Sequence, residues 1–161
     1  MQLSDEALLA QCEVRRTRRS GPGGQHRNKV ETCIQLVHQP TGIVAEAGER
    51  RSQAQNHLVA VKRLRINLAL QVRQPAEEHP SDDWLSRCRN GRLSISVDHE
   101  LFPRLLAEAL DMLLAEDWNL ATAAERLNIS SSQLTRFLKQ EPTALTQLNR
   151  VRIQRGLHRL A

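Results

Sequence analysis

A chain of 161 residues with 40% apolar content makes one domain of ordinary size or two small ones around a packed core. Its aromatic residues are Trp84, Phe102, Trp118 and Phe137, with no tyrosine, which excludes nucleic-acid readers that stack bases on aromatic platforms. The net charge of +5 is concentrated: Arg15 to Arg73 holds 12 Lys or Arg against three Glu, a local excess of +9, and so basic a stretch points to phosphate met by charge.

In chain order, Ser4 ahead of Asp5 and Glu6 predicts a short opening helix leading to Cys12. Val14 to Thr17 reads as a strand, and Ser20-Gly21-Pro22-Gly23-Gly24 as an open loop. Residues 32–38 alternate with a period of two, Gln39-Pro40-Thr41-Gly42 supplies a turn, and Ile43 to Ala47 returns as the partner strand of a hairpin. Ser52 with Gln55 forms a capping box for a helix reaching about Val72, whose stripe of Leu58, Val61, Leu64 and Leu68 is expected to pack on the hairpin. From Gln74 the crowding of Pro75, Glu77, Glu78, Pro80, Asp82 and Asp83 is linker composition. Asn90-Gly91 is turn chemistry, with a brief extended segment at Leu93 and Ile95. Four helices follow: one from Pro103 to near Asp117, one capped by Asn119, one opened by Ser130 and Gln133, and a last one from Pro142 carrying Leu145, Leu148, Ile153, Leu157 and Leu160. The expected class is α+β: a small β-hairpin or sheet with a packed helix carries the glycine loop, and an all-helical, helix-turn-helix-like region follows. The expected division is 1–73, a linker at 74–97, and 98–161.

Cys12, Cys33 and Cys88 are odd in number and widely spaced, so neither a disulfide framework nor a zinc site is expected, and a reducing cytoplasm fits. No apolar run approaches the roughly 20 residues of a membrane helix, so no membrane partner is expected. Neither a cofactor nor a metal is expected. Cys33 reads as packing within its strand, and His38 as a structural hydrogen-bonding group at the hairpin turn.

The glycine loop is not a P-loop, because Gln25 and His26 follow Gly24 where Lys and Ser or Thr would be needed. Physically, Gly23-Gly24-Gln25 offers two permissive backbone positions, exposed N–H groups and an amide side chain, which suits an oxyanion donor and a positioned water in a narrow pocket. The run Arg19-Ser20-Gly21-Pro22-Gly23-Gly24-Gln25-His26 is followed by Asn28-Lys29, then by His38-x-Pro40-Thr41-Gly42-Ile43-Val44, then by Arg51-Ser52-Gln53 with Asn56. Over residues 13–70 this order resembles the catalytic domain of class I peptide chain release factors.

The resemblance implies hydrolysis of the peptidyl-tRNA ester in the peptidyl-transferase centre of the large ribosomal subunit. Gly23 and Gly24 would shape the loop; the Gln25 backbone N–H would stabilise the reacting oxygen while its side chain admits water. It implies ribosomal RNA contact by Arg16, Arg18, Arg19, Ser20, His26, Arg27, Asn28, Lys29 and Arg51, by charge rather than base reading. For His26 positioning is favoured over proton transfer. The family also implies a methyltransferase acting on the Gln25 amide, and a monomer is expected off the ribosome. The length leaves no room for a stop-codon-reading region, so the chain looks like the short ribosome-rescue members, which release peptides without reading a stop codon. Those members end in a flexible basic tail, for which Arg150, Arg152, Arg155 and Arg159 are the nearest substitute, expected to contact RNA from the final helix. Arg27 and Arg50 depart from the family pattern, and neither touches Gly23, Gly24 or Gln25.

Ala123-Ala124 through Leu138 resembles a helix-turn-helix with Ser130 to Lys139 as recognition helix, although any small bundle spaces Ala and Leu this way. Residues 98–146 hold four basic against eight acidic residues, poor for gripping a duplex. The alternative reading of the whole is a non-catalytic RNA- or DNA-binding protein with a helix-turn-helix-like domain.

Overall fold

The computed structural model describes residues 3–17 and 33–160. The chain divides into two compact units, Met1–Leu68 and Ala69–Ala161. In the first, α1 (Asp5–Leu9) begins at Ser4, whose Oγ accepts from the Ala7 N–H at 3.2 Å, with Asp5 and Glu6 at the positive end of the dipole. An antiparallel sheet of order β1-β2-β3 follows, built from β1 (Cys12–Thr17), β2 (Cys33–His38) and β3 (Val44–Ala47). Leu36 stands opposite Ala45, and Ile34 opposite Ala47. The turn between β2 and β3 closes on the His38 carbonyl, which accepts from Gly42 N–H at 2.7 Å, with Gly42 at φ +71° where only glycine is unstrained.

Helix α2 (Gln53–Gln71) opens with Ser52 Oγ accepting from the Gln55 N–H at 3.4 Å. Ala60, Val61, Leu64 and Leu68 are its buried stripe, and Leu8, Cys33, Ile34, Leu36, Ile43, Ala45 and Ala47 are buried with it in this unit. Leu58, expected in that stripe, is 68% exposed. At about 100° per residue it lies about a quarter-turn from the centre set by Val61, Leu64 and Leu68, and Ala60 on the opposite flank is buried instead.

Polar side chains bind α2 to the other elements. Arg63 donates to the Glu46 carbonyl at 2.7 Å and to both oxygens of Glu49; Asn67 donates to the Val44 carbonyl at 2.8 Å. Arg65 holds Asp5 at 2.6 Å and the Leu3 carbonyl at 2.8 Å.

The second unit contains α3 (Asp82–Arg87), β4 (Cys88–Arg89), β5 (Arg92–Leu93), α4 (Phe102–Ala115), α5 (Leu120–Arg126), α6 (Ser131–Leu138) and α7 (Pro142–Gln154). The stretch 74–97, read as linker from its composition, thus carries a capped helix and a small hairpin. One residue accounts for this. Trp84 is fully buried, packs edge-on to Phe137 at 5.7 Å between centroids, and donates its indole N–H to the Leu127 carbonyl at 2.8 Å. A single large aromatic orders a segment that average hydropathy reads as solvent-loving.

Helix ends follow local chemistry. Asn119 and Ser130 cap α5 and α6 through their side chains, as expected. At the end of α5, Asn128 takes φ +56°, its N–H reaches the Glu125 carbonyl, and the Ile129 N–H reaches back to Ala124. Helix α7 stops at Gln154 instead of running on to Leu160: Gly156 sits at φ +70°, with the Leu157 N–H bonded to the Arg152 carbonyl at 2.9 Å. Leu157 is consequently exposed. Among the described residues no helix is long and apolar enough to cross a membrane.

Candidate functional site

Strands β1 and β2 end level with one another, Thr17 opposite Cys33 and Arg16 opposite Ile34, so residues 18–32 leave and re-enter the sheet at adjoining positions. Gly23, Gly24 and Gln25 belong to that stretch and lie outside the described residues, as do Arg18, Arg19, Ser20, His26, Arg27, Asn28 and Lys29. Of the expected contacts in this unit, Arg16 and Arg51 are described, and both are exposed. Arg16 projects from edge strand β1, and among the described residues it has no ion-pair partner. Its neighbour Arg15 forms a two-pronged pair with Glu13, 2.6 Å and 3.0 Å, and its hydrogen bond holds the Glu13 carboxyl below its usual pKa.

The backbone next to Arg51, at Arg50, is held by Asn56. That side chain is fully buried; its Oδ1 accepts from the Arg50 N–H and its Nδ2 donates to the Arg50 carbonyl, both at 2.9 Å. The reciprocal pair fixes the backbone just before α2 and satisfies two groups that burial would otherwise penalise.

At the far end of β2, His38 is buried with both ring nitrogens engaged: Nδ1 with Thr41 Oγ1 at 2.8 Å and Nε2 with Gln11 Oε1 at 3.1 Å. Gln11 Oε1 can only accept, which favours the ring proton on Nε2; in that neutral tautomer Nδ1 accepts from the Thr41 hydroxyl, whose oxygen accepts from the Ile43 N–H. Burial lowers the His38 pKa from the ordinary value. His38 is therefore structural, as expected. Cys33 is buried with its thiol toward Glu46 at 3.3 Å.

Sequence reasoning missed the polar set Arg63, Arg65 and Asn67. Their spacing on α2 reads as a solvated cationic face, and nothing local reveals that each reaches another element.

In the second unit, Arg155 pairs with Asp117, and Arg152 Nε donates to the His158 carbonyl at 2.9 Å. Asn149, buried in α7, clasps Leu160 by two hydrogen bonds at 2.8 Å and 3.0 Å, so residues 156–160 fold back on the helix. Arg150 and Arg159 are exposed.

A family model described as the RF-1 domain matches residues 7–96, more than half of the chain. Peptide chain release factor 1 of Acidiphilium cryptum is 40% identical over 87 residues, 54% of this chain and 25% of that protein. Peptide chain release factor 2 of Thermomicrobium roseum is 48% identical over 62 residues, 38% of this chain and 17% of that protein. The mitochondrial peptide chain release factor 1-like protein of Rattus norvegicus is 47% identical over 51 residues, 32% of this chain and 14% of that protein. The chain thus spans a quarter or less of the length of these relatives.

Proposed function

The chain belongs to the RF-1 domain family, and on that premise we propose that it promotes peptide release on the ribosome by hydrolysing the ester between nascent peptide and transfer RNA. What supports this reading is the match of residues 7–96 to the family model, together with the sequence position of Gly23-Gly24-Gln25 between β1 and β2, whose ends at Thr17 and Cys33 pair. An ester is a good acyl donor, so the chemical demands are a placed water and stabilised negative charge, without a Ser-His-Asp set. In this proposal the Gln25 N–H faces the reacting oxygen, its side chain admits water, and Gly23 and Gly24 provide the backbone shape.

Arg16 and Arg51 hold ribosomal RNA phosphates together with Arg18, Arg19, Ser20, His26, Arg27, Asn28 and Lys29, and Arg150 and Arg159 add contacts from the second unit. Arg152 and Arg155, which have partners inside the fold, contribute less than the sequence alone implies. Catalysis is assigned to residues 1–73, and release proceeds without a stop codon. Action in the cytoplasm, a monomer off the ribosome and methylation of Gln25 belong to the same proposal.

The test is peptide release from ribosomes stalled with an empty decoding site, comparing the native chain with Gln25→Pro and Gly24→Ala. Gln25→Pro deletes the backbone N–H and should lower the release rate by about 100-fold or more, as loss of one oxyanion donor does elsewhere. Unchanged release in both variants refutes the catalytic role. A strict requirement for a stop codon in the decoding site refutes the rescue reading while leaving the hydrolysis intact.

A further inference from the structure

The second unit carries a cleft that the release chemistry does not use. The β4–β5 hairpin turns at Asn90 and Gly91, with φ +50° and +71°, which fits the twist of a two-residue hairpin. It is anchored to the turn between α5 and α6: the Trp84 indole donates to the Leu127 carbonyl, and the Cys88 thiol meets the Asn128 carbonyl at 3.6 Å. A Cβ on Gly91 would stand 3.9 Å from that same Asn128 carbonyl. Hairpin and α6 are thereby held side by side, and they bound a cleft of about 300 Å³ lined by Arg92, Ser94, Gln133, Arg136 and Gln140, with Phe137 among its apolar residues.

The charge around this cleft is not what the linear count implies. Five of the eight acidic side chains of residues 98–146 have partners away from it. Glu108 accepts from Ser81, Asp111 pairs with Arg73, Glu116 with Arg126 and Asp117 with Arg155, while Glu141 caps α7. No acidic residue lines the cleft. Arg92 and Arg136 are exposed and, among the described residues, without a hydrogen-bond or ion-pair partner. Arg89 and Lys139 add exposed cations on the same hairpin and just past the same helix. Two guanidinium forks beside neutral amide and hydroxyl groups match a run of phosphodiesters, and the burial of Phe137 leaves no ring on which a base could stack.

We propose that the cleft between the β4–β5 hairpin and α6 grips the phosphate backbone of RNA, Arg92 and Arg136 each engaging one phosphate, without base reading. The choice of RNA over DNA rests on the ribosomal reading above; the cleft as a phosphodiester site does not.

The test uses the full chain and an RNA hairpin of about 20 nucleotides. Arginine modification by phenylglyoxal, mapped by mass spectrometry, should drop at Arg92 and Arg136 when RNA is added. Arg92→Ala/Arg136→Ala should weaken binding by about tenfold at moderate salt and reduce the salt slope by about 1.4 to 1.8, the loss of two phosphate contacts. Both positions are exposed, and circular dichroism verifies that the variant folds. Undiminished modification at saturating RNA, or unchanged affinity and slope in the variant, overturns the proposal. Equal protection by the matching DNA hairpin overturns the commitment to RNA. Release that survives Gln25→Pro and Gly24→Ala would refute the ribosomal reading while protection of Arg92 and Arg136 still stood, so the two failures are distinguishable.

Discussion

His38 combines full burial with two neutral partners, Gln11 and Thr41, and no acidic group accepts from its ring. Its folded pKa therefore lies below the ordinary value near 6.5, while the unfolded chain titrates at about that value. Below about pH 6.5 the unfolded state takes up a proton that the folded state refuses, so stability falls as pH falls and is flat above it. Denaturant midpoints measured at pH 7.5 and pH 5 should separate more for the native chain than for His38→Gln. Identical pH dependence would remove His38 as the cause. Asn56 makes a different prediction, because its side chain serves one backbone unit twice. Asn56→Ala strands the Arg50 N–H and carbonyl and should cost about 1 to 3 kcal/mol, read as a lower melting temperature. A loss within error would mean that water replaces the amide.

Between elements, the ion pair of Arg73 and Asp111 joins the segment after α2 to α4. The carboxylate on α4 is buried, accepts from Arg73 at 2.9 Å and from the Gln74 N–H at 3.1 Å, and burial pushes its pKa up against both. Arg73→Met should destabilise the second unit by about 3 kcal/mol in chemical denaturation, and Arg73→Met/Asp111→Leu should recover most of that loss. If the double variant is no better than the single one, the pair is not what holds the 69–74 segment to α4. Sequence could not find this pair, since its members are 38 positions apart and a lone Asp in a helix reads as surface. Signals closed within four residues were legible. Ser4, Asn119 and Ser130 cap helices where their chemistry predicts, and Asn90-Gly91 turns the hairpin. The early stop of α7 was as local, at Gly156, yet the apolar spacing of Leu157 and Leu160 masked it.

At the scale of the molecule, the +9 block was legible because charge composition needs no fold, whereas which cations remain available to a ligand depends on tertiary pairing. Arg63 and Arg16 both fall in that block and count equally toward it. Arg63 donates to Glu49 and to the Glu46 carbonyl, while Arg16 is exposed on an edge strand without an ion-pair partner among the described residues. Counterion release counts only cations that come to lie on phosphate, so two variants with the same change in net charge should differ. Arg16→Gln should reduce the slope of log affinity for ribosomes against log salt by about 0.7 to 0.9, and Arg63→Gln should leave that slope within error. Both would be measured by fluorescence anisotropy across a salt series, with circular dichroism to verify folding, because Arg63→Gln also loosens α2 from β3. Equal slope changes would show that the block acts as a diffuse field, in which the internal pairing of Arg63 is irrelevant to binding. Unequal changes would tie affinity to Arg16 on edge strand β1, two residues from the start of the 18–32 stretch that the proposal places at the reacting ester.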